Sequence, residues 1–419
     1  MATITENLQT IKDSTMAIKQ AIIDKGGEVG DLTTYASAIA NLPSGGGDVN
    51  PTASKNDVTF YDYDGTIRYS YTAAEFLALT EMPPLPRQQG LICQEWNWSF
   101  EDAIEYVAEY GVLDVGATYI TDDGKTRLYI RIAAEGRMDV PLYFQQTVAN
   151  GVTIDWGDGS ATETLEGTGK VNTTHRYASI GDYMIGLDVA EGCTLMLGHN
   201  STSISVIGGS NSSYKRMLYK AEIGAGITSL SCAFTGMKTL ASVTIPKSIN
   251  TSGNTAFLEV TLLSCVIIPN GITNISGEDY FRQTQVRVVS LPRSITTLGS
   301  IFRSCECLST VVIPPKITEI AQIYCYLCYG LVSLVFPKGI TTIGANSFAY
   351  CSIMAFYDFS HLTAVPTLAN TNAFTSIPSD CKIIVPDNLY DTWIAATNWS
   401  TYASHIIKKT DWDASINNQ

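Results

Sequence analysis

The sequence predicts a multidomain, mainly β protein whose C-terminal part is a solenoid of short repeats. Five prolines recur at intervals of 23, 23, 22 and 23 residues, at Pro246, Pro269, Pro292, Pro314 and Pro337. Apolar residues stand one, three and six positions before each proline, and isoleucine stands three positions after it. A fixed period of this length indicates stacked supersecondary units, each too small to bury its own apolar face.

The apolar columns predict how each repeat is built. Positions one and three before the proline alternate with other residues, which is the period-two pattern of a strand with one buried face. The proline ends the strand because it lacks the N–H that the ladder needs. An aromatic core residue follows about ten to twelve positions later, at Phe257, Phe281, Phe302, Tyr324 and Phe348.

The repeat also resembles a known family. The pattern I-P-x-x-I-T-x-I-G-x-x-x-F-x-x-C-x-x-L-x-x-V, seen from Pro337 to Cys351 and from Leu308 to Ile313, is similar to the BspA-type leucine-rich repeat. The resemblance implies a curved solenoid of the kind found in bacterial surface proteins, which typically bind rather than catalyse.

Composition excludes two classes of partner. The chain has 419 residues, of which 45% are apolar and 16% charged, and its net charge is −14. Nucleic-acid binding is not expected, because it rests on phosphate neutralisation by Lys and Arg. Membrane insertion is not expected either, since the sequence has no run of 18 apolar residues. The first residues lack the basic and apolar regions of a signal peptide, so we expect no export by that route.

Residues 1–47 are predicted to form a helical arm that ends in a glycine linker. Its seam positions are spaced 4, 3, 4, 3 and 4 residues apart, as in a short coiled coil: Ile4, Leu8, Ile11, Thr15, Ile18 and Ile22. One interpretation is an amphipathic hairpin packed on its own domain. We favour an oligomerisation and attachment arm, with a homotrimer as the favoured state, because so short a seam is marginal alone.

Residues 54–127 are predicted to form a small α+β module. Asp64-Gly65 and Asp123-Gly124 each indicate a hairpin turn, and Thr72 to Glu75 is a capping box that opens a helix. The strings F-Y-D-Y-D-G-T from Phe60, W-N-W-S from Trp96 and T-D-D-G-K-T-R-L-Y-I from Thr121 resemble a module of phage tail and prophage surface proteins.

A second interpretation of this module rests on Asp62 and Asp64. D-Y-D-G-T matches the nucleophile motif of haloacid-dehalogenase-type phosphatases. That chemistry also requires a downstream lysine and a magnesium-binding acidic pair, which do not follow at suitable spacing. A hairpin turn is the preferred interpretation.

Residues 128–200 are predicted to form a β-sandwich. The strings W-G-D-G-S from Trp156, H-R-Y from His175 and G-D-Y from Gly181 resemble the PKD domain, an immunoglobulin-like spacer or binding module. Trp156 and Tyr177 are expected in its core, and His175 is expected to be structural. Asp155 and Asp158 provide too few oxygens for a calcium site.

The remaining chain divides into the solenoid, residues 201–384, and a C-terminal cap, residues 385–419, whose helix runs from Asp387 to Ala396. A terminal unit of this kind shields the last open rung. Cys305, Cys328 and Cys351 occupy one repeat column and are expected to fill the core. A zinc site formed by Cys305, Cys307, Cys325 and Cys328 is the alternative. We expect no metal and no cofactor.

The predicted binding surface is the outward face of the strands that precede the prolines. Its residues are small and uncharged: Ser242, Thr244, Cys265, Ile267, Val288, Ser290, Thr310, Val312, Ser333 and Val335. A column of cations follows, consisting of Lys247, Arg293, Lys316 and Lys338. The sequence therefore predicts a site for an anionic or hydroxyl-rich surface polymer, with simple solvated turn lysines as the alternative.

These features predict a binding protein rather than an enzyme. No nucleophile–base pair, metal cluster or phosphate loop is recognisable, and a tail depolymerase would need a carboxylate pair. We predict a virion tail protein, assembled in the host cytoplasm, whose N-terminal arm binds other tail or baseplate proteins. Its repeats would bind a bacterial cell-surface polysaccharide or protein. A BspA-like adhesin on the bacterial cell surface is the alternative.

Overall fold

The computed structural model describes residues 57–199, 204–250 and 255–417. The predicted arm, residues 1–47, and its seam from Ile4 to Ile22 lie outside the described residues. Among the described helices, none combines the length and apolar character needed to cross a membrane.

The α+β module is a four-stranded sheet with helices packed on it. Its strands are β1 (Val58–Tyr61), β2 (Ile67–Tyr71), β3 (Leu91–Trp96) and β4 (Leu113–Thr121). The sheet order is β2-β1-β4-β3, and only the β1–β4 pair is parallel. Its apolar core contains Phe60, Trp96 and Tyr119.

Capping residues set the limits of the two helices of the module, as their sequence indicates. Helix α1 (Ala73–Leu77) follows Thr72, which forms a capping box with Glu75. Helix α2 (Phe100–Tyr110) follows Ser99, whose side chain accepts from the Asp102 N–H. Gly111 ends α2 in the left-handed conformation, with φ 74°.

The prediction of a hairpin at Asp123-Gly124 is wrong. A turn does form there, since the Gly124 N–H donates to Thr121 O at 3.2 Å. However, the strand that follows pairs with strands of another sheet instead of with β4. The turn therefore connects two sheets.

The next segment forms two facing sheets. Its strands are β5 (Thr126–Ile132), β6 (Asp139–Gln146), β7 (Val152–Asp155), β8 (Glu163–Thr164), β9 (Gly169–Arg176), β10 (Gly181–Val189) and β11 (Leu195–Leu197). Three strands of the following segment join them: β12 (Leu218–Glu222), β13 (Ile227–Ser229) and β14 (Ser242–Thr244). The sheet orders are β14-β12-β5-β10-β7-β8 and β13-β11-β6-β9.

These sheets enclose a core that contains both predicted aromatic residues. Trp156 and Tyr177 are buried, and the Tyr177 hydroxyl donates to Trp156 O at 2.9 Å. His175 stacks on Trp156 and lies 2.7 Å from Asp158 Oδ2. Because β12 and β14 continue the sheet of β5, the first repeats pack directly on the sandwich, and both share one apolar core.

The solenoid has two series of parallel strands. In chain order they are β15 (Cys265–Ile267), β16 (Asn274–Ile275), β17 (Val288–Ser290), β18 (Thr297–Leu298), β19 (Thr310–Val311), β20 (Glu319–Ile320), β21 (Ser333–Val335), β22 (Thr342–Ile343), β23 (Phe356–Asp358), β24 (Thr367–Leu368), β25 (Lys382–Val385) and β26 (Ile406–Lys408). Sheets β15-β17-β19 and β21-β23-β25-β26 form one wall, and β16-β18 and β20-β22-β24 form a second. The predicted solenoid is confirmed.

The predicted core columns stack from rung to rung. Phe257, Phe281 and Phe302 lie in parallel with ring centroids 5.7 Å apart. The thiols form a second column, in which Cys305 donates to Phe281 O and Cys328 donates to Phe302 O of the preceding rung. Burial raises the pKa of both thiols well above the ordinary value, so they act as neutral core groups.

The last rung is covered by aromatic residues of the C-terminal segment. Helix α3 (Tyr390–Ala395) places Trp393 in the core, and Trp399 packs against it with ring centroids 5.3 Å apart. Strand β26 extends the first wall, and helix α4 (Lys409–Asn417) follows it. This arrangement shields the apolar interior at the end of the stack.

Candidate functional site

The strand face, meaning the outer side of the wall formed by β14, β15, β17, β19 and β21, is covered by the α+β module. Thr244, Cys265, Ile267, Val288, Ser290 and Val312 are all buried, and Ser242, Thr310, Ser333 and Val335 are partly buried. The prediction of an open, ligand-accessible strand face is therefore wrong. The physical reason is apolar burial: Tyr61 packs on Cys265, Ile267 and Val288, while Val312 and Val335 join the core of the module.

Asn97 ties the module to the strand face. Its Nδ2 donates to Ile268 O at 2.9 Å and to Ser290 O at 3.2 Å. Its Oδ1 accepts the Gly116 N–H at 2.8 Å, within the module. Because Asn97 is fully buried, its amide satisfies backbone groups on both sides of the contact.

Gly116 explains how closely the two parts approach. A Cβ at this position would lie 2.4 Å from Ile267 Cδ1 and Cγ2. Strand β4 can therefore lie against β15 only because residue 116 has no side chain. Beside it, Trp98 Nε1 donates to Leu291 O at 2.9 Å, and the Tyr106 hydroxyl donates to Ile313 O at 3.0 Å.

The predicted cation column contributes to this contact instead of forming a ligand site. Lys247 Nζ lies 3.7 Å from Glu95 Oε2, and Lys338 Nζ lies 3.0 Å from Glu109 Oε2. Arg293 reaches both Asp102 and Glu105. Lys316 is exposed, with no ion pair to any residue that the structure describes. Three of the four cations thus pair with the module.

The sequence contained a signal for this contact. Asp102, Glu105 and Glu109 are spaced three and four residues apart, which places them on one face of α2. That acidic stripe complements Arg293 and Lys338, which stand in the repeat column. A second signal was Cys265 to Ile268, an unbroken apolar run typical of a strand buried on both sides.

The loop face is the other long surface of the solenoid, and it is formed by the turns that follow the second series of strands. In many repeats, two residues of these turns adopt positive φ. Examples are Ile323 (58°) and Leu327 (61°) in one repeat and Asn346 (55°) and Tyr350 (65°) in the next. Positive φ angles are unfavourable for residues other than glycine. Backbone ladder bonds offset this cost in successive repeats, as between the Tyr350 N–H and Thr375 O at 2.7 Å.

A groove of about 420 Å³ lies on the loop face. Successive repeats contribute its lining, which consists of Arg303, Ile323, Tyr326, Asn346, Tyr350, Asn372 and Thr375. Tyr326 and Tyr350 meet edge to face with ring centroids 5.6 Å apart, and Tyr350 is 40% exposed. Sequence analysis missed this groove, although Tyr326 and Tyr350 stand 24 residues apart, close to one repeat length.

The polar side chains of the groove are available for a ligand. The side-chain polar atoms of Arg303, Asn346 and Asn372 make no hydrogen bond or ion pair with any of the described residues. The two amides provide donors and acceptors together, and the guanidinium provides a fork of donors. With exposed tyrosine beside them, these groups suit a partly polar, partly flat ligand rather than an apolar one.

A second groove, of about 460 Å³, lies near the first repeats. Its lining is Ser210, Ser212, Lys215, Arg216, Thr235, Gly236, Lys238 and Glu259. Lys215 is already engaged, since its ammonium donates to Ser205, to Gly209 O at 2.8 Å and to Thr235 O at 2.9 Å. Burial lowers the pKa of Lys215 to about 8. This lysine closes the turn and is less available to a ligand.

The aspartate motif in the module has a structural role. Asp62 is fully buried, and its Oδ2 accepts from Arg68 Nε at 2.8 Å and from Gln88 Nε2 at 2.6 Å. Its Oδ1 accepts the Tyr63 N–H, which fixes the turn between β1 and β2. Within the described part of the chain, no group of three or more His, Cys, Asp or Glu residues could hold a metal ion.

Comparison with known proteins identifies the repeats. The profile of the BspA type leucine rich repeat region matches six copies over residues 209–323 and 277–376. Residues 209–376 are BspA-type leucine-rich repeats. The crystal structure of a leucine-rich repeat protein from Bacteroides ovatus is similar to part of this chain, with 16% identity and a TM-score of 0.30. The similarity covers 40% of this chain and 54% of that one, so the chain spans about half the length of this neighbour. No curated protein matches the chain.

Proposed function

We propose that this protein is a non-catalytic, adhesin-type binding protein that holds a cell-surface component against the loop face of its BspA-type repeats. The repeats over residues 209–376 support a surface-exposed, adhesin-like role. The strand face cannot serve as the binding surface while the module covers it, because Ile267 and Ser290 are buried there.

The groove on the loop face is the observation that carries this proposal. Its lining comes from successive repeats, and the side-chain polar atoms of Arg303, Asn346 and Asn372 make no hydrogen bond or ion pair with the described residues. Neither a carboxylate nor a histidine nor a cysteine is among the described residues that line it, whereas glycoside hydrolysis ordinarily requires two carboxyl groups. This composition favours binding over catalysis.

A narrower form of the proposal places the protein on a virion tail. The strings that begin at Phe60, Trp96 and Thr121 resemble modules of phage tail proteins, and the predicted seam from Ile4 to Ile22 would provide attachment to baseplate proteins as a homotrimer. The sandwich with its PKD-like strings would act as a spacer. An adhesin on the bacterial cell surface is the alternative location.

Cell binding tests the proposal. Fluorescently labelled full-length protein is incubated with a panel of bacterial and mammalian cells, and bound protein is measured by flow cytometry. We expect saturable binding to at least one cell type, reduced at least tenfold by the double variant Tyr350→Ala, Asn372→Ala. The matched control is Tyr329→Ala, because Tyr329 is equally exposed (40%) but does not line the groove. Absence of binding to every cell type, or full binding by the double variant, contradicts the proposal.

A further inference from the structure

We propose that the groove formed by Arg303, Tyr326, Asn346, Tyr350, Asn372 and Thr375 is an oligosaccharide site that selects a carboxylate-bearing sugar. This inference rests on the proposed binding role and adds the chemical class of the ligand. The groove is open, and its volume of about 420 Å³ is that of a small-ligand site.

The aromatic corner provides the flat part of the site. Tyr326 and Tyr350 come from adjacent rungs, and their rings meet at an interplanar angle of 84°. Two rings at this angle offer one face and one edge to a ligand that has an apolar side. A sugar ring has such a side, formed by its C–H groups, whereas its hydroxyls project from the rim. Tyrosine suits this contact because its body is apolar and its hydroxyl is polar.

The amides provide the polar part. Asn346 and Asn372 stand in corresponding turns of adjacent repeats, on the groove that Tyr350 borders. Each amide can donate and accept at once, which matches hydroxyl groups that also do both. The Asn372 N–H is already occupied by Asn370 Oδ1 at 2.9 Å, which fixes the backbone of this turn. The side-chain amide remains available in a turn that is already ordered, so little ordering cost falls on binding.

Arg303 provides the selection for charge. Among the described residues that line the groove it is the cation, and its guanidinium forms no ion pair with a described carboxylate. A guanidinium binds a carboxylate through two parallel hydrogen bonds, so it favours an acidic sugar over a neutral one. The net charge of the chain is −14, so the protein as a whole repels anions. An acidic sugar would therefore bind through the local positive charge of Arg303 and not through the overall charge of the protein.

The ligand is tested first by removing it from cells. Cells that bind the protein are treated either with periodate, which cleaves vicinal diols, or with protease. We expect periodate to abolish binding and protease to leave at least half of it. Binding that survives periodate and is lost to protease overturns the oligosaccharide assignment and leaves the binding role standing. Absence of binding to untreated cells instead contradicts the binding role itself.

The site is then tested with defined probes. Wild-type protein and the Tyr350→Ala, Arg303→Gln and Tyr329→Ala variants are applied to immobilised neutral, N-acetylated and uronic-acid oligosaccharides. We expect the wild type and Tyr329→Ala to bind acidic oligosaccharides, Tyr350→Ala to lose at least tenfold in affinity, and Arg303→Gln to lose the preference for acidic over neutral forms. Equal binding by all variants, or binding to no oligosaccharide, overturns the assignment.

Discussion

Arg293 Nη2, in the solenoid, lies 2.8 Å from Oε2 of Glu105, on helix α2 of the α+β module. The same guanidinium reaches Asp102 Oδ1 at 3.2 Å. This arginine therefore connects the repeats to a module that lies almost two hundred residues earlier in the sequence. These charged groups are partly exposed, whereas the amide of Asn97 in the same contact is fully buried.

Exchanging the charges of Arg293 and Glu105 tests whether this pair holds the module. We expect Arg293→Glu alone to lower the free energy of unfolding by about 1 kcal/mol, since exposed pairs contribute about 0.2–1 kcal/mol and repulsion adds to the loss. The double variant Arg293→Glu, Glu105→Arg should recover part of that loss. Urea unfolding at low and high salt measures both, and Lys316→Glu, at an exposed cation, is the control. Equal effects of Arg293→Glu and Lys316→Glu would contradict the assignment.

Gly116 provides a steric test of the same contact. Gly116→Ala should destabilise the protein by about 1–3 kcal/mol, as overpacking does, because the new Cβ meets Ile267 at 2.4 Å. Adding Ile267→Val removes one methyl group and should restore part of the stability. Gly186→Ala, in strand β10, is the matched control, because its Cβ would lie 3.6 Å from Asp155 Cβ, an ordinary contact. Thermal unfolding is measured for the wild type, Gly116→Ala, Ile267→Val, the double variant and Gly186→Ala. Additive losses in the double variant would contradict the close approach.

Among these variants, removal of the buried Asn97 amide is expected to lower the free energy of unfolding most. Asn97→Ala leaves the Gly116 N–H and Ile268 O without their side-chain partner, and each unsatisfied buried group costs about 1–3 kcal/mol. Ser290 O loses its bond to Asn97 but still accepts the Ile268 N–H at 3.0 Å. We expect a loss of about 3 kcal/mol or more, together with faster hydrogen exchange in β4 and β15. Asn172→Ala, at an exposed position in β9, should change neither. If Asn97→Ala lowers the free energy of unfolding by less than about 0.5 kcal/mol, the amide does not hold the module on the strand face.

Much of the fold could be predicted from the sequence, and the part that could not has a physical reason. The proline columns and the capping residues Thr72, Ser99 and Gly111 act locally, so their consequences are visible in short stretches of sequence. Docking of the module depends on distant surfaces: the apolar run that contains Ile267 indicates burial on both sides of the strand but not which segment covers it. The groove was missed because Asn346 and Tyr350 adopt left-handed backbone angles, which a period-two or helical pattern does not reveal.

The sandwich offers a pH-dependent prediction. The pKa of Asp158 is lowered to about 2, mainly by a hydrogen bond from Ser160 and to a smaller extent by one from His175. A carboxyl whose pKa is lower in the folded than in the unfolded state stabilises the fold above its unfolded pKa, and this stabilisation is lost as the pH falls through the folded value. The stability difference between wild type and Asp158→Asn should therefore be full at pH 6 and should shrink between about pH 4 and pH 2. Urea unfolding across this range measures it, and a difference that is independent of pH would be inconsistent with the lowered pKa.

A disulfide that locks the module onto the strand face tests the central claim most directly. A Cβ at Gly65 would lie 3.1 Å from Cys265 Cβ, so that a small shift of the turn between β1 and β2 brings Gly65→Cys into disulfide range with the native thiol. Bond formation is verified by a thiol count on the denatured protein, and cell binding is then measured before and after reduction. If the ligand binds the loop face, the oxidised and reduced forms bind cells equally, and Tyr350→Ala weakens both. Binding that is lost on oxidation and restored by reduction would show that the ligand needs the strand face, and it would contradict the account.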